Sequence, residues 1–282
     1  MPTSSSGLGK ALDFSLAVYA ELFDTVDFVA ISHLSDVMPS SPPSNVTFHK
    51  IMTLARPPWM RFFGSLFGRS PAVCRPFGLS VASQVRQLIE IIDPDVVKVE
   101  VAPLLRVFLQ PALPVRQFRL ILRSHNVVGE MFKGLGDNVI TRVAFSFESH
   151  RLAKFEKDAL KAVDSVYCIS PADAKRYSDE YGTSVSGLIG CGLRDPAEAR
   201  PSACKTSQDL SFVGEGPVVL FTGSIDYRKR HGLQWFLSRV WPTVSEQVPN
   251  ARLVLTGKGS ERLSKQRSRI HGLGFVDDIA EV

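Results

Sequence analysis

Short apolar runs alternate with amphipathic stretches along most of the chain, and their spacing predicts a succession of strands and helices. Residues 7–23 open with Gly7 and Gly9 and then place Leu12, Leu16, Tyr19 and Phe23 at helical spacing. The run VDFVAIS over 26–32 reads as a buried strand, and VTFHKI near residue 48 as a weaker one. A helical pattern over 79–92 has to stop at Asp93-Pro94, because a residue before proline is pushed out of the helical region. DVVKVEV (95–101), RLILR (119–123) and DSVYCIS (164–170) follow as strands, with a long helix over 140–162 between the last two. Ser170 then caps a short helix whose first position is Pro171.

Residues 195–214 change character: rich in Pro, Ser, Ala and Lys and without periodicity, they read as a linker. Beyond them the pattern restarts with a strand over 217–222, a helix over 231–247, a strand over 251–256, a loop-helix and a last strand over 271–276. Strands alternating with helices imply parallel βαβ units on both sides of the linker. The expected fold is therefore α/β, with a Rossmann-like domain over 1–194 and a second over 215–282. A doubly wound domain ordinarily begins with a strand leading into its first Gly-rich turn, and no strand precedes Gly7 and Gly9. The second segment is also shorter than the ~100–150 residues of a usual sheet domain. Both domains are thus expected to be incomplete, the first lacking its opening strand and the second cut short.

Composition narrows the classes. With 44% hydrophobic and 22% charged residues in 282, the chain is an ordinary globular protein. A net charge of +5 favours an anionic ligand or an acidic membrane surface. No Lys/Arg block or aromatic-basic repeat points to nucleic acid. Cys74, Cys168, Cys191 and Cys204 are scattered, with none at Cys-x-x-Cys spacing, so free thiols in a reducing compartment are expected. There is no targeting pattern at the N-terminus and no apolar run of the ~20 residues that a membrane span needs. The expectation is a cytoplasmic protein, with peripheral contact to a membrane left open.

Three glycine turns carry the first candidate chemistry: Gly7-Leu8-Gly9, Gly223-Ser224 after VVLFT, and Gly257-Lys258-Gly259 after LVLT. Glycine at a strand-to-helix turn lets backbone amides approach a phosphate, and a helix N-terminus adds favourable partial charge. None completes a dinucleotide or P-loop pattern, and a plain tight connection explains each one singly. Arg228, Lys229 and Arg230 behind the second turn supply the cations that a diphosphate needs. His125, in RSHNVVGE, follows a strand and so falls at the C-terminal edge of a parallel sheet, where open α/β folds bind ligands. A histidine there can donate to a sugar hydroxyl, or it can be a loop residue satisfied by backbone. The stretch RPPWMRFFGSLFGR (56–69) reads equally as a membrane-surface element or as a lid packed on the domain.

The ordered set RSHNVVGE, FEKDALKAVDSVYCISPADAKRY, VVLFTGSIDYRKRHGLQWFLSRVWP, PNARLVLTGKG and GLGFVDDI resembles the group 1 (family 4) glycosyltransferases. The resemblance covers most of the chain. It implies a GT-B fold of two Rossmann-like domains, with acceptor binding mainly in the first and the sugar nucleotide mainly in the second. It also implies retaining, metal-independent transfer without a cofactor. Carried over, Gly7 and Gly9 match the loop under the donor phosphates, and His125 the histidine facing the transferred sugar. Gly223 opens the motif whose Arg and Lys hold the diphosphate; Ser224 replaces that Arg, and Lys229 or Arg230 falls near the Lys. Gly257 belongs to the second donor-side turn, and Phe275 and Val276 match the loop whose backbone contacts the base.

The family's ribose-binding pair, two Glu eight positions apart after a late glycine turn, is missing from residues 215–282. Glu148 and Glu156 have that spacing but precede the linker, and on a helix they simply share a face. The resemblance thus implies transfer of a hexose from a nucleotide diphosphate to a hydroxyl of a glycan or lipid-linked acceptor, as in polysaccharide biosynthesis. Two other readings stay open: a sugar-nucleotide epimerase on the same fold, and a non-catalytic module that binds the glycan or lipid acceptor. With half of the donor pocket absent, the 282-residue polypeptide is expected to show negligible transferase activity with any sugar nucleotide. Sustained turnover in a radiolabel-transfer assay contradicts that expectation.

Overall fold

The computed structural model describes residues 7–32, 43–52, 79–109, 117–136, 138–190, 192, 216–225, 227–263 and 269–276. The stretch 56–69, the linker 195–214, and Cys74, Cys191 and Cys204 lie outside the described residues. The chain divides into two compact units, Met1–Arg194 and Asp195–Val282. Both are α/β, and among the described residues every strand pair is parallel.

The first unit runs α1 (Gly7–Leu22), β1 (Val26–Ser32), β2 (Val46–Met52), α2 (Leu79–Ile92), β3 (Val96–Val99), α3 (Arg106–Leu109), β4 (Arg119–Ser124), α4 (Val139–Leu160), β5 (Ser165–Cys168), α5 (Pro171–Asp179) and β6 (Gly187–Leu188). Strands β1 and β2 pair with each other, while β3, β4, β5 and β6 form one sheet in sequence order. Parallel neighbours need long crossovers, and α4 and α5 supply them between β4, β5 and β6. Strand β4 lies inside this sheet, which explains why its residues from Leu120 onward are mostly buried. Leu120 and Leu122 meet Val99, Val166 and Cys168 of neighbouring strands and Leu152, Ala159 and Leu160 of α4 in one core. Burial raises the Cys168 thiol to about 11, with Asp173 and Glu156 adding to the shift, so it packs there as a protonated apolar group.

Local chemistry sets the helix ends. Asp93 closes α2 at φ 48°, a left-handed conformation that Asp tolerates better than most residues, immediately before Pro94. Asn138 and Thr141 form a reciprocal box at the start of α4: the Asn138 side chain accepts from the Thr141 amide at 2.9 Å, and the Thr141 hydroxyl accepts from the Asn138 amide at 3.1 Å. Ser170 accepts from the Asp173 amide at 3.1 Å, with Pro171 at the first position of α5.

The second unit runs β7 (Val218–Thr222), α6 (Tyr227–Arg239), α7 (Trp241–Gln247), β8 (Arg252–Thr256) and β9 (Ile270–Gly274), with its strands in sequence order. Leu233, Trp241, Ala251, Leu253, Leu255 and Ile270 make its core.

Three expectations change, and one strand is added. The helix expected over 231–247 is two, α6 and α7, because Pro242 lacks an amide and its ring excludes the carbonyl four residues back. The strand expected over 95–101 pairs only over Val96–Val99, since a 3₁₀ turn containing Pro103 begins at Ala102. Strand β6 is two residues long, too short to leave a period. Gly7 and Gly9 form the first turn of α1 rather than a loop.

Helix α4 also carries a carboxylate into the core. Glu156 is fully buried and accepts from the Val128 amide at 3.0 Å, the Gly129 amide at 3.2 Å and the Tyr177 hydroxyl at 2.6 Å. Burial holds its pKa above the ordinary value, while those donors partly offset the shift. Glu156 thereby joins α4, α5 and the segment that follows β4. Glu156→Ala is expected to cost about 3 kcal/mol of stability, because two buried amides and a tyrosine hydroxyl lose their acceptor. Urea unfolding at neutral pH checks it, and an unchanged midpoint and slope contradict it.

Candidate functional site

In the first unit, polar side chains gather where β3 and β4 end. Alternation along β3 sends Lys98 and Glu100 to the same side, and β4 brings Arg123 and His125 beside them. His125 Nε2 lies 2.9 Å from Glu100 Oε2, and Lys98 Nζ donates to Glu100 Oε1 at 2.5 Å. Lys98 also donates to the Tyr19 hydroxyl of α1, with Nζ 4.4 Å from that ring's centre. Arg123 is buried beneath them. Its guanidinium donates to Ser15 Oγ of α1 at 2.8 Å and to the Gly190 and Ile189 carbonyls beyond β6 at 2.5 and 3.3 Å, and it stands 3.7 Å from Glu100. Glu100 is thus a carboxylate shared by two cations and a histidine. Burial alone would raise its pKa, but the His125 hydrogen bond and the Lys98 and Arg123 charges outweigh burial and hold it below the ordinary value.

The segment carrying His125 is fastened from behind. Ser124 Oγ donates to the Asn126 carbonyl at 2.8 Å and lies 2.8 Å from the Tyr177 hydroxyl, which in turn donates to Glu156. Ser149 of α4 donates to the Gly129 carbonyl. The contact between His125 and Glu100 sets an imidazole against a carboxylate. Such a pair, at the C-terminal edge of a parallel sheet, can orient a hydroxyl or take its proton.

In the second unit, three turns collect at the C-terminal edge of β7, β8 and β9. The Gly223 amide donates to the Thr256 carbonyl at 3.1 Å, Ile225 to Lys258 at 2.9 Å, and Gly257 to Gly274 at 2.5 Å. The turns touch backbone to backbone: a Cβ on Gly257, at φ 103°, would come within 2.6 Å of the Ser224 amide nitrogen. Lys229, in the first turns of α6, reaches back over the Gly223 turn, where a Cβ would stand 2.6 Å from its Nζ. Ser260 is buried and accepts from the Gly274 amide at 2.9 Å, and Glu261 accepts from the Gly259 amide at 2.9 Å. Phe275 follows β9 with its ring largely exposed.

The structure therefore brings Gly223, Ser224, Lys229 and Gly257 to one edge, with Arg230 next along α6 and Phe275 and Val276 just beyond β9. His125 lies in the other unit, beside Glu100. Gly7 and Gly9 begin α1, the helix whose Ser15 and Tyr19 reach the Arg123–Lys98 cluster. Sequence reading missed Lys98, Glu100 and Arg123. Their signal was present: charges two apart in the apolar run DVVKVEV, and an arginine at the end of RLILR, are costly in a buried strand unless paired.

Residues 216–282 match the family model described as glycosyl transferases group 1. No curated protein matches the chain. Among solved structures, the chain is similar to a candidate UDP-N-acetylglucosamine 2-epimerase from Listeria monocytogenes, at 12% identity and a TM-score of 0.48, over 96% of this chain and 66% of that one. It is also similar to MnaA of S. aureus, solved with UDP, at 11% identity and a TM-score of 0.43, over 83% and 63%. The chain thus spans just under two thirds of the length of each.

Because Glu100 has a lowered folded-state pKa, its ionised form stabilises the fold above the ordinary value of 4.5, and this contribution disappears as pH falls through the lower folded value. Glu100→Gln is expected to cost about 2 kcal/mol at neutral pH, the scale of hydrogen bonds to a charged group. The gap should close as pH drops below 4.5. Denaturant unfolding across pH reads it; a gap that does not vary with pH overturns the assignment.

Proposed function

We propose that this chain serves a retaining, sugar-nucleotide-dependent glycosyltransferase of GT-B architecture, moving a hexose to a hydroxyl of a glycan or lipid-linked acceptor. The observation that carries the reading is the edge of the second unit, inside the segment that matches the group 1 model: glycine turns packed together with Lys229 Nζ over the first. A diphosphate needs close approach to backbone and a cation beside it. The Gly223 and Gly257 amides are taken up by the bonds between the turns, so in this reading the Ser224 and Lys258 backbone and Lys229 Nζ meet the phosphates. The N-terminus of α6 adds partial positive charge, and Arg230 a second cation. In this reading Ser224 donates to a phosphate oxygen, and the backbone at Phe275 and Val276 meets the base.

The first unit takes the acceptor side. His125, oriented by Glu100, faces the transferred sugar, and Lys98 and Arg123 keep the carboxylate ionised. Leaving-group charge is carried by Lys229, Arg230 and helix-end amides, which stabilise a diphosphate more as its bond to the sugar breaks. Transfer itself would break the bond from sugar C1 to the diphosphate oxygen and form one from C1 to the acceptor oxygen, with the acceptor proton released.

Titration calorimetry of the 282-residue chain with UDP tests the donor half directly. Binding is expected, competed by pyrophosphate, and Lys229→Ala should weaken it about tenfold, since one charge-assisted hydrogen bond is lost. Failure of UDP to bind, or equal affinity in the variant, contradicts the reading.

A further inference from the structure

Helix α4 leaves an unusual face in solvent. Val139, Ile140, Val143 and Phe147 are 74%, 81%, 64% and 55% exposed, and at about 100° per residue they occupy a single sector of the helix. Two turns further along the same side, Arg151, Lys154 and Lys157 take over. The Arg151 guanidinium lies 3.9 Å from the centre of the Phe147 ring, which joins the apolar and basic halves into one surface. The opposite side is committed to the core through Leu152, Glu156, Ala159 and Leu160. The apolar side chains are therefore not loose ends of a poorly packed helix. Of the acids on α4, Glu156 points inward, Asp158 is bound to Lys161 at 2.9 Å, and Glu148 lies about 100° round the helix from Phe147, so cations outnumber acids on this side.

We infer that this face of α4 docks the protein on an anionic lipid surface, with Val139, Ile140, Val143 and Phe147 in the interface and Arg151, Lys154 and Lys157 against lipid phosphates. Charge complementarity selects the occupant. Aliphatic side chains standing out from a convex helix, continued by cations on the same side, match the boundary between acyl chains and anionic headgroups. Among the described residues no helix is long and apolar enough to cross a membrane, so contact through α4 lies along the surface. Docking there also has a consequence for the candidate site. Phe145 of α4 stacks on Phe132 with ring centres 5.8 Å apart, and Glu156 of α4 holds Val128 and Gly129, so the docked helix is directly braced against the segment that follows His125. That consequence rests on the transferase reading, in which a lipid-linked acceptor is met at the bilayer; the docking surface does not.

The test is co-sedimentation of the full chain with vesicles of phosphatidylcholine alone and with about a third phosphatidylglycerol, at low and high salt. The chain should partition onto the anionic vesicles at least about tenfold more strongly than onto neutral ones, less so at high salt. The double variant Ile140→Glu/Val143→Glu should lose this binding by about tenfold or more while its unfolding midpoint and its UDP affinity stay at the wild-type values. Arg151→Glu/Lys154→Glu should lose binding with a flatter salt dependence. Equal sedimentation of wild type and variants overturns the inference. So does absence of binding to either vesicle, or a wild-type dimer that the Ile140/Val143 variant dissociates, which would assign the face to a second copy. Because UDP binding is read separately, failure of docking and failure of the transferase reading are distinguishable.

Discussion

A buried carboxylate held by neutral donors keeps the first unit's functional edge in place. Glu156 sits at the centre of the packing between α4, α5 and the segment after β4, and it receives hydrogen bonds from two backbone amides and a tyrosine. Burying an acid is costly, and hydrogen bonds from donors fixed by the fold offset part of that cost. In exchange the backbone just beyond His125 has one position. Tyr177 and Ser124 extend the same network to the Asn126 carbonyl, so the histidine rests on a chain of bonds that begins in the core. In front of it, Glu100 fixes the ring from the neighbouring strand. The site is thus specified from two directions, by an acid buried for structure and by an acid shared among cations.

The second unit solves its problem with less chemistry and more geometry. Its three turns are close because glycine lets them be, and the amide-to-carbonyl bonds between them leave a surface made largely of backbone. One lysine returning from α6 supplies charge. A side chain at Gly223 or Gly257 would occupy the place of that lysine or of the adjoining turn, so the glycines are required by the arrangement itself. The two units share a rule: parallel strands present their C-terminal ends together, and the residues at those ends acquire chemistry from the neighbour in the sheet rather than from the neighbour in sequence.

That rule also explains what could be read in the chain. The alternation of apolar runs and amphipathic stretches located β1 to β5 and β7 to β9, because buried parallel strands are apolar throughout and their ends are marked by Gly, Pro and capping residues. Asp93-Pro94 and Ser170-Pro171 were legible because the backbone constraint lies within two residues. Pro242 was equally visible and was passed over because the apolar spacing continues through it. His125 could be found from its place after RLILR. Its pairing with Glu100 could not, since the two are twenty-five positions apart and meet only through the register of β3 with β4. Glu156 shows the converse: the spacing from Glu148 suggested a shared helix face, whereas its burial depends on Tyr177 and the Val128 amide, both distant in sequence.

The account stands on the claim that the edge of β7, β8 and β9 receives a nucleotide diphosphate. Amide chemical-shift mapping of the isotope-labelled full chain, titrated with UDP, measures this residue by residue. The account requires the largest perturbations at Gly223, Ser224, Gly257 and Lys258, with smaller ones along the first turns of α6. Perturbations confined to residues away from that edge, or none at saturating UDP, would contradict it.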